Sequence, residues 1–323
     1  MTRRDVAALL DLPACVEAVQ EAFRLHGAGK TAAPGILGFP YPDGGFHIKA
    51  AGLDLARRYF AVKTNGNFSR NPERFGLPAI QGVIVLCDGD NGSPLALLDS
   101  IEITIARTGA ATAVAARYLA PKGSKVATVC GCGNQGRVQL RALTLVCPIA
   151  LAHAFDLDPR RAERFAAEMS AELGLEVKAV RDLTAALRAS DVCVTCTPSR
   201  RAFVRREDVR PGSFIAAVGA DSPEKQELDP LLVASAKLVA DIRAQCAEIG
   251  ELHHALAEGL MRVENVHAEL SEIVSGAKPG RESDSETIIF DSTGTALQDV
   301  AAAAVVYEKA VAAGAGLRIA LGA

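Results

Sequence analysis

A strand, a glycine-rich turn and a helix follow one another over residues 125–143, and this stretch limits the possible folds more than any other. The apolar, β-branched run 126–130 predicts the strand. Gly131, Gly133 and Gly136 come directly after it, and apolar residues then recur at helical spacing. A strand, a GxGxxG turn and a helix in this order form the fingerprint of a dinucleotide-binding fold.

Each glycine of this turn has a physical role in the fingerprint. Gly131 permits the tight turn, Gly133 lets the backbone approach a pyrophosphate, and Gly136 lets the helix pack against the strand. Asn134 and Gln135 open the helix, whose N-terminus offers free N–H groups and a partial positive charge. We therefore predict that residues 131–136 hold the phosphates of NAD or NADP.

An acidic residue follows at the expected distance. The apolar run 149–155 stops at Asp156, about 20 residues beyond the turn, where the fingerprint places a carboxylate for the ribose hydroxyls. The other interpretation of Asp156 is a cap for the next helix. A carboxylate repels a 2′-phosphate and so favours NAD, whereas Arg160 and Arg161 close behind it favour NADP. The sequence leaves both cofactors open.

Strands and helices continue to alternate beyond Asp156, which is typical of a doubly wound parallel sheet. Further strands are predicted over 175–180, 191–198, 213–219 and 237–241. Ligands of such sheets bind at the carboxyl ends of the strands, where Thr197 and Asp221 fall. The predicted fold class is thus α/β, with a Rossmann-type doubly wound parallel sheet.

The first hundred residues follow another pattern. A helix interrupted near Pro13 is predicted over 4–29, and a Pro- and Gly-rich passage follows over 31–45. Short strands are predicted over 46–51, 59–64, 81–88 and 94–99. This pattern predicts a second, α+β domain for substrate binding and dimerisation. We place it at 1–118 together with 296–323, because the apolar final helix, predicted over about 296–313, can return to it. We place the dinucleotide-binding domain at 119–295.

Composition excludes several functional classes. The net charge is −3 and there is no basic run, so nothing predicts nucleic-acid binding. No apolar window has the length of a membrane span, and the first residues do not form a signal peptide, so we expect a cytoplasmic protein. The eight cysteines follow no regular disulfide spacing. Cys130/Cys132 and Cys193/Cys196 suggest a metal site, but small apolar residues packed beneath a cofactor are the better interpretation, so no metal is predicted.

One cation stands out in the helix predicted over 101–120. Arg107 lies among small and apolar residues, where an arginine is costly unless a carboxylate or phosphate meets it. A bound anion is therefore expected near this helix.

Several separated stretches together resemble the ornithine cyclodeaminase/mu-crystallin family, especially its archaeal-type alanine dehydrogenase and ketimine reductase branch. They are AVKT at 61–64, LALLD at 95–99, TIARTGAA at 104–111, GCGNQ at 131–135, AVGADSPEKQELD at 217–229, GRESD at 280–284 and IFDSTG at 289–294. The resemblance implies a homodimeric, NAD(P)-dependent oxidoreductase acting on CH–NH or CH–NH2 groups, which reduces a small 2-imino acid, cyclic or derived from a 2-oxo acid. It also leaves open an alanine dehydrogenase, a cyclodeaminase that recycles NAD internally, and a crystallin-like binding protein.

The resemblance also implies roles for matching residues. Lys63 matches a lysine that contacts the substrate carboxylate and takes part in proton transfer, Arg107 an arginine that clamps that carboxylate, and Asp221 the acid/base group. Arg107 and Thr108 are also expected at the cofactor. The alternatives are a solvent-facing strand residue for Lys63 and a helix cap before Pro223 for Asp221.

Two positions depart from the family pattern. His47 stands where the alanine dehydrogenase branch has arginine and the ornithine cyclisers have glutamate, and Lys49 stands where methionine is usual. A further cation of the family is missing near Gly35. Because strand side chains alternate, His47 and Lys49 share a face. We expect Lys49 to restore the missing charge with His47 beside it; the other interpretation is that both line a polar pocket rim.

Overall fold

The computed structural model describes residues 1–320. It divides the chain into two compact units, a first unit of Met1–Arg107 with the chain from Thr295 onward, and a second unit of Thr108–Gly294. The division falls within a helix, whereas the predicted domain bounds at 118/119 and 295/296 fall at or near helix ends. The predicted domain bounds therefore stay a prediction. Residues 321–323 of the predicted first domain lie outside the described residues.

Up to the division, the first unit contains mainly antiparallel strands with helices around them. Its elements are α1 (Arg3–Leu9), α2 (Leu12–Gly27), β1 (Thr31–Tyr41), β2 (Gly44–Asp54), β3 (Arg58–Asn67), α3 (Asn71–Phe75), β4 (Ile80–Asp88), β5 (Pro94–Asp99) and the first part of α4 (Ile101–Leu119).

The second unit alternates strands and helices, and the chain then returns to the first unit in one long helix. The elements are β6 (Val126–Cys130), α5 (Asn134–Thr144), β7 (Leu151–Phe155), α6 (Pro159–Leu173), β8 (Glu176–Ala179), α7 (Leu183–Arg188), β9 (Val192–Thr195), β10 (Arg200–Val204), β11 (Phe214–Ala217), β12 (Gln226–Leu228), α8 (Pro230–Ser235), β13 (Lys237–Ala240), α9 (Arg243–Ile249), α10 (Glu251–Ala257), β14 (Ala268–Glu269), α11 (Leu270–Val274), β15 (Ile288–Asp291) and α12 (Ala296–Ala313).

The interruption predicted near Pro13 separates two helices. The side chain of Asp11 accepts a hydrogen bond from the Ala14 N–H at 2.8 Å and caps α2, and Pro13 lies in its first turn, where no backbone N–H is needed. Val16, Val19 and Phe23, at helical spacing, are buried. This apolar stripe packs α2 against α12.

The sheet of the first unit has the order β1-β2-β3-β4-β5, with antiparallel neighbours throughout. β1 is not predicted from the sequence, because Pro and Gly are frequent there. Pro34 lies at a register shift between Ala32 and Gly35 on an edge strand, where the missing N–H is tolerated. Pairing along β2 therefore prevails over the turn-forming composition.

The two faces of this sheet differ. One face carries buried side chains such as Leu53, Ile84 and Leu98 and packs against α12. We define the outer face as the exposed apolar side chains on the opposite side: Leu37, Phe39, Phe46, Phe60, Val83, Val85 and Leu97. An exposed group of seven apolar side chains on one face of a sheet is typical of a protein interface.

The main sheet of the second unit has the order β14-β13-β15-β11-β9-β6-β7-β8, and all its pairs are parallel. The chain order reverses between β6 and β9, so the loops after these strands flank the switch point where ligands of such sheets bind. The predicted fold class is therefore confirmed. Three features are not predicted from the sequence: β15 in the middle of this sheet, β14 at its edge and the small sheet β10-β12.

Within residues 1–320 we find no helix of the length and apolarity that a membrane crossing requires.

Candidate functional site

The glycine turn of the second unit has the conformation that its sequence predicts. Gly131 follows β6 with a φ of +103°, a region that side chains rarely adopt, and a Cβ there would lie 2.9 Å from the carbonyl oxygen of Cys196. A Cβ at Gly136 would overlap the carbonyl oxygen of Gly131. Only glycine fits these two positions, because the backbone itself occupies the space.

Gly133 differs from Gly131 and Gly136, the other two glycines of the turn. In the described chain, a Cβ at Gly133 would meet no atom within 4 Å, and its φ of −89° suits any residue. It is the N-cap residue of α5 and has no side chain with which to cap this N-terminus. Asn134 and Gln135 form the first turn of the helix. Open space over uncapped N–H groups suits an anion such as a pyrophosphate.

Asp156 lies beside this turn. One of its carboxylate oxygens accepts the Cys132 N–H at 3.0 Å, and the other accepts the Asp158 N–H at 3.0 Å. Asp158, not Asp156, caps the following helix α6. The half-buried Asp156 carboxylate is thus oriented next to the phosphate turn, and its remaining lone pairs can accept from ribose hydroxyls. The turn, the helix N-terminus and this carboxylate together fit a dinucleotide.

Thr197 lies in the loop after β9 and is held by Glu227, a residue that was not predicted from the sequence. Glu227 is fully buried, and its Oε1 accepts hydrogen bonds from the Thr197 N–H at 2.6 Å and hydroxyl at 2.7 Å. Its Oε2 accepts the Gly219 N–H at 2.9 Å, two residues before Asp221. Burial raises the pKa of the Glu227 carboxyl, and these hydrogen bonds oppose the rise. Glu227 therefore fixes two loops at the carboxyl end of the sheet.

Asp221 itself is partly exposed. The Lys225 ammonium approaches its Oδ1 to 2.5 Å. No helix begins after Pro223, so the helix-cap interpretation of Asp221 does not apply. The Asp221 carboxylate thus lies in an ion pair in the loop after β11, at the carboxyl end of a sheet strand.

In the first unit, two lysines lie directly opposite each other on neighbouring strands. Lys49 on β2 pairs with Lys63 on β3, and the two residues are 8% and 3% exposed. Like charges in directly opposite positions destabilise a sheet, more so when buried. Lys63 does not face solvent, so that interpretation is wrong. His47 shares this face and is half-buried.

Asp299 on α12 neutralises part of this charge. The Lys63 ammonium donates to Oδ1 of Asp299 at 2.7 Å and also lies 2.7 Å from Oδ2, and Nε of Arg107 lies 3.3 Å from Oδ1. Although burial opposes it, the charges of Lys63 and Arg107 lower the pKa of Asp299. Asp299 is not predicted from the sequence, although a lone acid in an Ala-rich apolar helix is the same kind of signal that marks Arg107.

Arg107 has a second partner on the same helix. Its Nη1 donates to Oε1 of Gln298 at 2.8 Å, and both side chains are buried. Thr108, the next residue of α4, is also buried.

The surroundings of Lys63 change its protonation. Burial lowers the pKa of its ammonium to about 7; Asp299 opposes this, and the charges of Arg107 and Lys49 add to it. Lys63, Lys49 and Arg107 thus place buried positive charge around one carboxylate. This arrangement attracts a further anion, such as the carboxylate of a small molecule. We find no group of three His, Cys, Asp or Glu side chains able to hold a metal ion in residues 1–320.

Comparison with known proteins finds a matching family and similar solved structures. The sequence model of the ornithine cyclodeaminase/mu-crystallin family matches residues 1–314. A solved archaeal alanine dehydrogenase, a dimer with bound NAD, superposes with a TM-score of 0.95 at 39% identity, covering 99% of this chain and 98% of that chain.

Two reductases of known structure resemble this chain to a comparable degree in fold and sequence. The Δ1-pyrroline-2-carboxylate reductase of Thermococcus litoralis, in complex with NADH and L-proline, gives a TM-score of 0.94 at 35% identity, covering 99% of each chain. The iminosuccinate reductase of Paracoccus denitrificans, in complex with NAD+, gives a TM-score of 0.89 at 35% identity, covering 97% of this chain and 96% of that chain.

Proposed function

Because this chain belongs to the ornithine cyclodeaminase/mu-crystallin family, we propose that it is an NAD(P)H-dependent enzyme that reduces a small 2-imino acid to an L-amino acid. The observation that carries the proposal is the buried cluster of Lys63 and Arg107 around Asp299. Buried cations of this kind suit a substrate that bears a carboxylate. The glycine turn and Asp156 supply the second requirement, a place for the dinucleotide. The related reductases and alanine dehydrogenase act on compounds of this class.

Each residue then has a distinct task. Arg107 and Lys63 hold the substrate carboxylate, which fixes the position of the adjacent imine carbon. Asp221 exchanges the proton of the imine or amine nitrogen. Lys49 adds positive charge to the carboxylate site, with His47 beside it.

The cofactor supplies the hydride when it is bound. Residues 131–136 hold its phosphates and Asp156 holds its ribose. Thr197 and Thr108 lie in further segments that contact the cofactor. Arg107 binds the substrate carboxylate and is expected to contact the cofactor as well. NAD(H) is preferred because a 2′-phosphate would meet the Asp156 carboxylate.

A small substrate panel tests the proposal. NADH and NADPH oxidation is followed with Δ1-pyrroline-2-carboxylate, Δ1-piperideine-2-carboxylate, iminosuccinate formed from oxaloacetate and ammonia, and pyruvate with ammonia or methylamine. Oxidation with a cyclic imine identifies a ketimine reductase, and oxidation with pyruvate and ammonia an alanine dehydrogenase. Silence with every member contradicts the proposal. Loss of ammonia from ornithine without net NADH change would instead identify the cyclodeaminase, which His47 disfavours because it cannot neutralise a distal amine as glutamate can.

The pKa of Lys63 predicts a pH dependence of carboxylate binding. Only the charged ammonium attracts a carboxylate, so the dissociation constant of a non-reacting analogue, pyrrole-2-carboxylate, should rise about tenfold per pH unit above about pH 7. Calorimetric titration in the presence of NADH measures this. In Lys63→Arg the guanidinium stays charged, and the rise should disappear. An equal rise in both proteins would assign the titration to another group.

Lys49 provides a second test of the carboxylate site. In Lys49→Met, the loss of one buried positive charge should raise the KM for the imino acid about tenfold, with a smaller change in kcat. Steady-state kinetics with the best substrate of the panel measures both constants. An unchanged KM would show that Lys49 only lines the pocket rim.

The outer face of the first unit supports a homodimer, the assembly described for the archaeal alanine dehydrogenase. Leu97 is 57% exposed at this face, so in Leu97→Glu a charge would enter an apolar interface and dissociate the dimer. Light scattering coupled to size-exclusion chromatography measures the mass. Leu157→Glu is the matched control, because Leu157 is 93% exposed in the second unit. A dimer that survives Leu97→Glu places the interface elsewhere.

A further inference from the structure

Gln298 lies next to Asp299 in the first turn of α12. The side chain is fully buried. Its Oε1 accepts the hydrogen bond from Nη1 of Arg107, whereas its Nε2 has no hydrogen-bond partner among residues 1–320. An amide with one end paired and the other unpaired is unusual in a protein interior.

The arginine fixes which end of the amide is unpaired. A guanidinium only donates hydrogen bonds, so the amide oxygen must face Arg107 and the NH2 group must point away from it. Turning the amide over would place two donors against each other. A buried donor left unpaired costs about 1–3 kcal/mol, so this position is built for an acceptor that arrives later.

The identity of the acceptor follows from the neighbouring charges. Asp299 is engaged by Lys63 and lies beside Nε of Arg107. The donor of Gln298 is on the same amide that contacts the guanidinium, so it lies beside the group that attracts a carboxylate. A carboxylate has two oxygens, and one can meet a cation while the other accepts from a neutral N–H.

We propose that Gln298 is a substrate-contacting residue whose Nε2 donates a hydrogen bond to a carboxylate oxygen of the 2-imino acid held by Arg107. This inference rests on the proposed function. It gives Gln298 a part in specificity, because an imine without a carboxylate has no acceptor to offer and leaves the donor unpaired. Gln298 therefore helps to select imino acids over simple imines.

The substitution Gln298→Glu tests the hydrogen bond with little change in shape. It keeps an oxygen for Arg107 and places a second oxygen where the donor was, so a substrate carboxylate is repelled. We expect kcat/KM for Δ1-pyrroline-2-carboxylate, or the best substrate of the panel, to fall about 100-fold or more, while kcat/KM for 1-pyrroline, which has no carboxylate, changes about threefold or less. We define the substrate preference as the ratio of kcat/KM for the imino acid to kcat/KM for 1-pyrroline. Gln298→Met, which removes the donor without adding charge, should lower this preference about tenfold.

Controls separate this role from a structural one. NADH affinity, measured by fluorescence, should stay unchanged in both variants, and Glu308→Gln on the same helix should leave the substrate preference unchanged. A preference that stays within about twofold of the native value in both Gln298 variants would overturn the inference and leave the proposed function standing. A native enzyme that reduces no member of the panel would overturn both.

Discussion

Replacing Asp299 by asparagine should lower the free energy of unfolding by about 3–5 kcal/mol near pH 6, because it leaves the buried charges of Lys63 and Arg107 without their carboxylate. An asparagine has nearly the same shape, so the loss reports charge and not packing. Urea denaturation followed by circular dichroism measures it. Activity should fall in the same variant, because the two cations lose the group that positions them.

The size of this loss should depend on pH. Without Asp299 the pKa of Lys63, already about 7, falls further, so well above pH 7 the lysine is neutral in both proteins and only Arg107 lacks its carboxylate. The destabilisation should therefore be smaller at about pH 9 than at about pH 6. Glu308→Gln on the same helix, which weakens one hydrogen bond from the Tyr59 hydroxyl, is the control and should cost about 1 kcal/mol. Equal losses in the two variants at both pH values would contradict this account.

Alanine at two glycines of the phosphate turn should give opposite patterns of stability and cofactor binding. Gly133→Ala adds a methyl group to open space at an ordinary φ, so the thermal midpoint should change little. If the pyrophosphate lies against this backbone, that methyl group should weaken NADH binding about 100-fold. Gly136→Ala forces the helix away from the Gly131 carbonyl and should lower both the thermal midpoint and NADH affinity.

Differential scanning fluorimetry and NADH fluorescence titration on the same preparations measure both quantities. Unchanged NADH affinity in Gly133→Ala would place the phosphates elsewhere. An unchanged midpoint in Gly136→Ala would mean that the helix shifts without cost.

The parts of the fold that the sequence predicts well are those set by local pattern. The glycine turn, its flanking strand and helix, and Asp156 lie within about 30 residues, and their geometry depends on backbone sterics that only glycine satisfies. The final helix is also predicted with its observed bounds, Ala296–Ala313, because nothing interrupts its helix-forming residues. Arg107 could be singled out because a charge among small residues requires a partner wherever the chain goes.

The missed features depend on distant contacts. Asp299 lies 236 residues from Lys63 and Gln298 lies 191 residues from Arg107, so no local pattern connects them. Glu227 meets Thr197 only because β12, which carries Glu227, pairs with β10, which begins three residues after Thr197. β15 is four residues long and follows a polar loop, which gives too little periodicity to identify a strand that is central in space. β1 forms because a neighbouring strand supplies its hydrogen bonds.

The helix α12 has a consequence for how the chain is made. Translation proceeds from the N-terminus, so the ribosome delivers Lys49 and Lys63 long before Asp299. Until then the two lysines have no acid from α12, and the sheet that carries them lacks the helix that covers its buried face. The nascent first unit therefore cannot reach its final structure while the second unit emerges, although the second unit is continuous in sequence and can fold first. Chaperone dependence during synthesis should accordingly be concentrated in the N-terminal third of the chain.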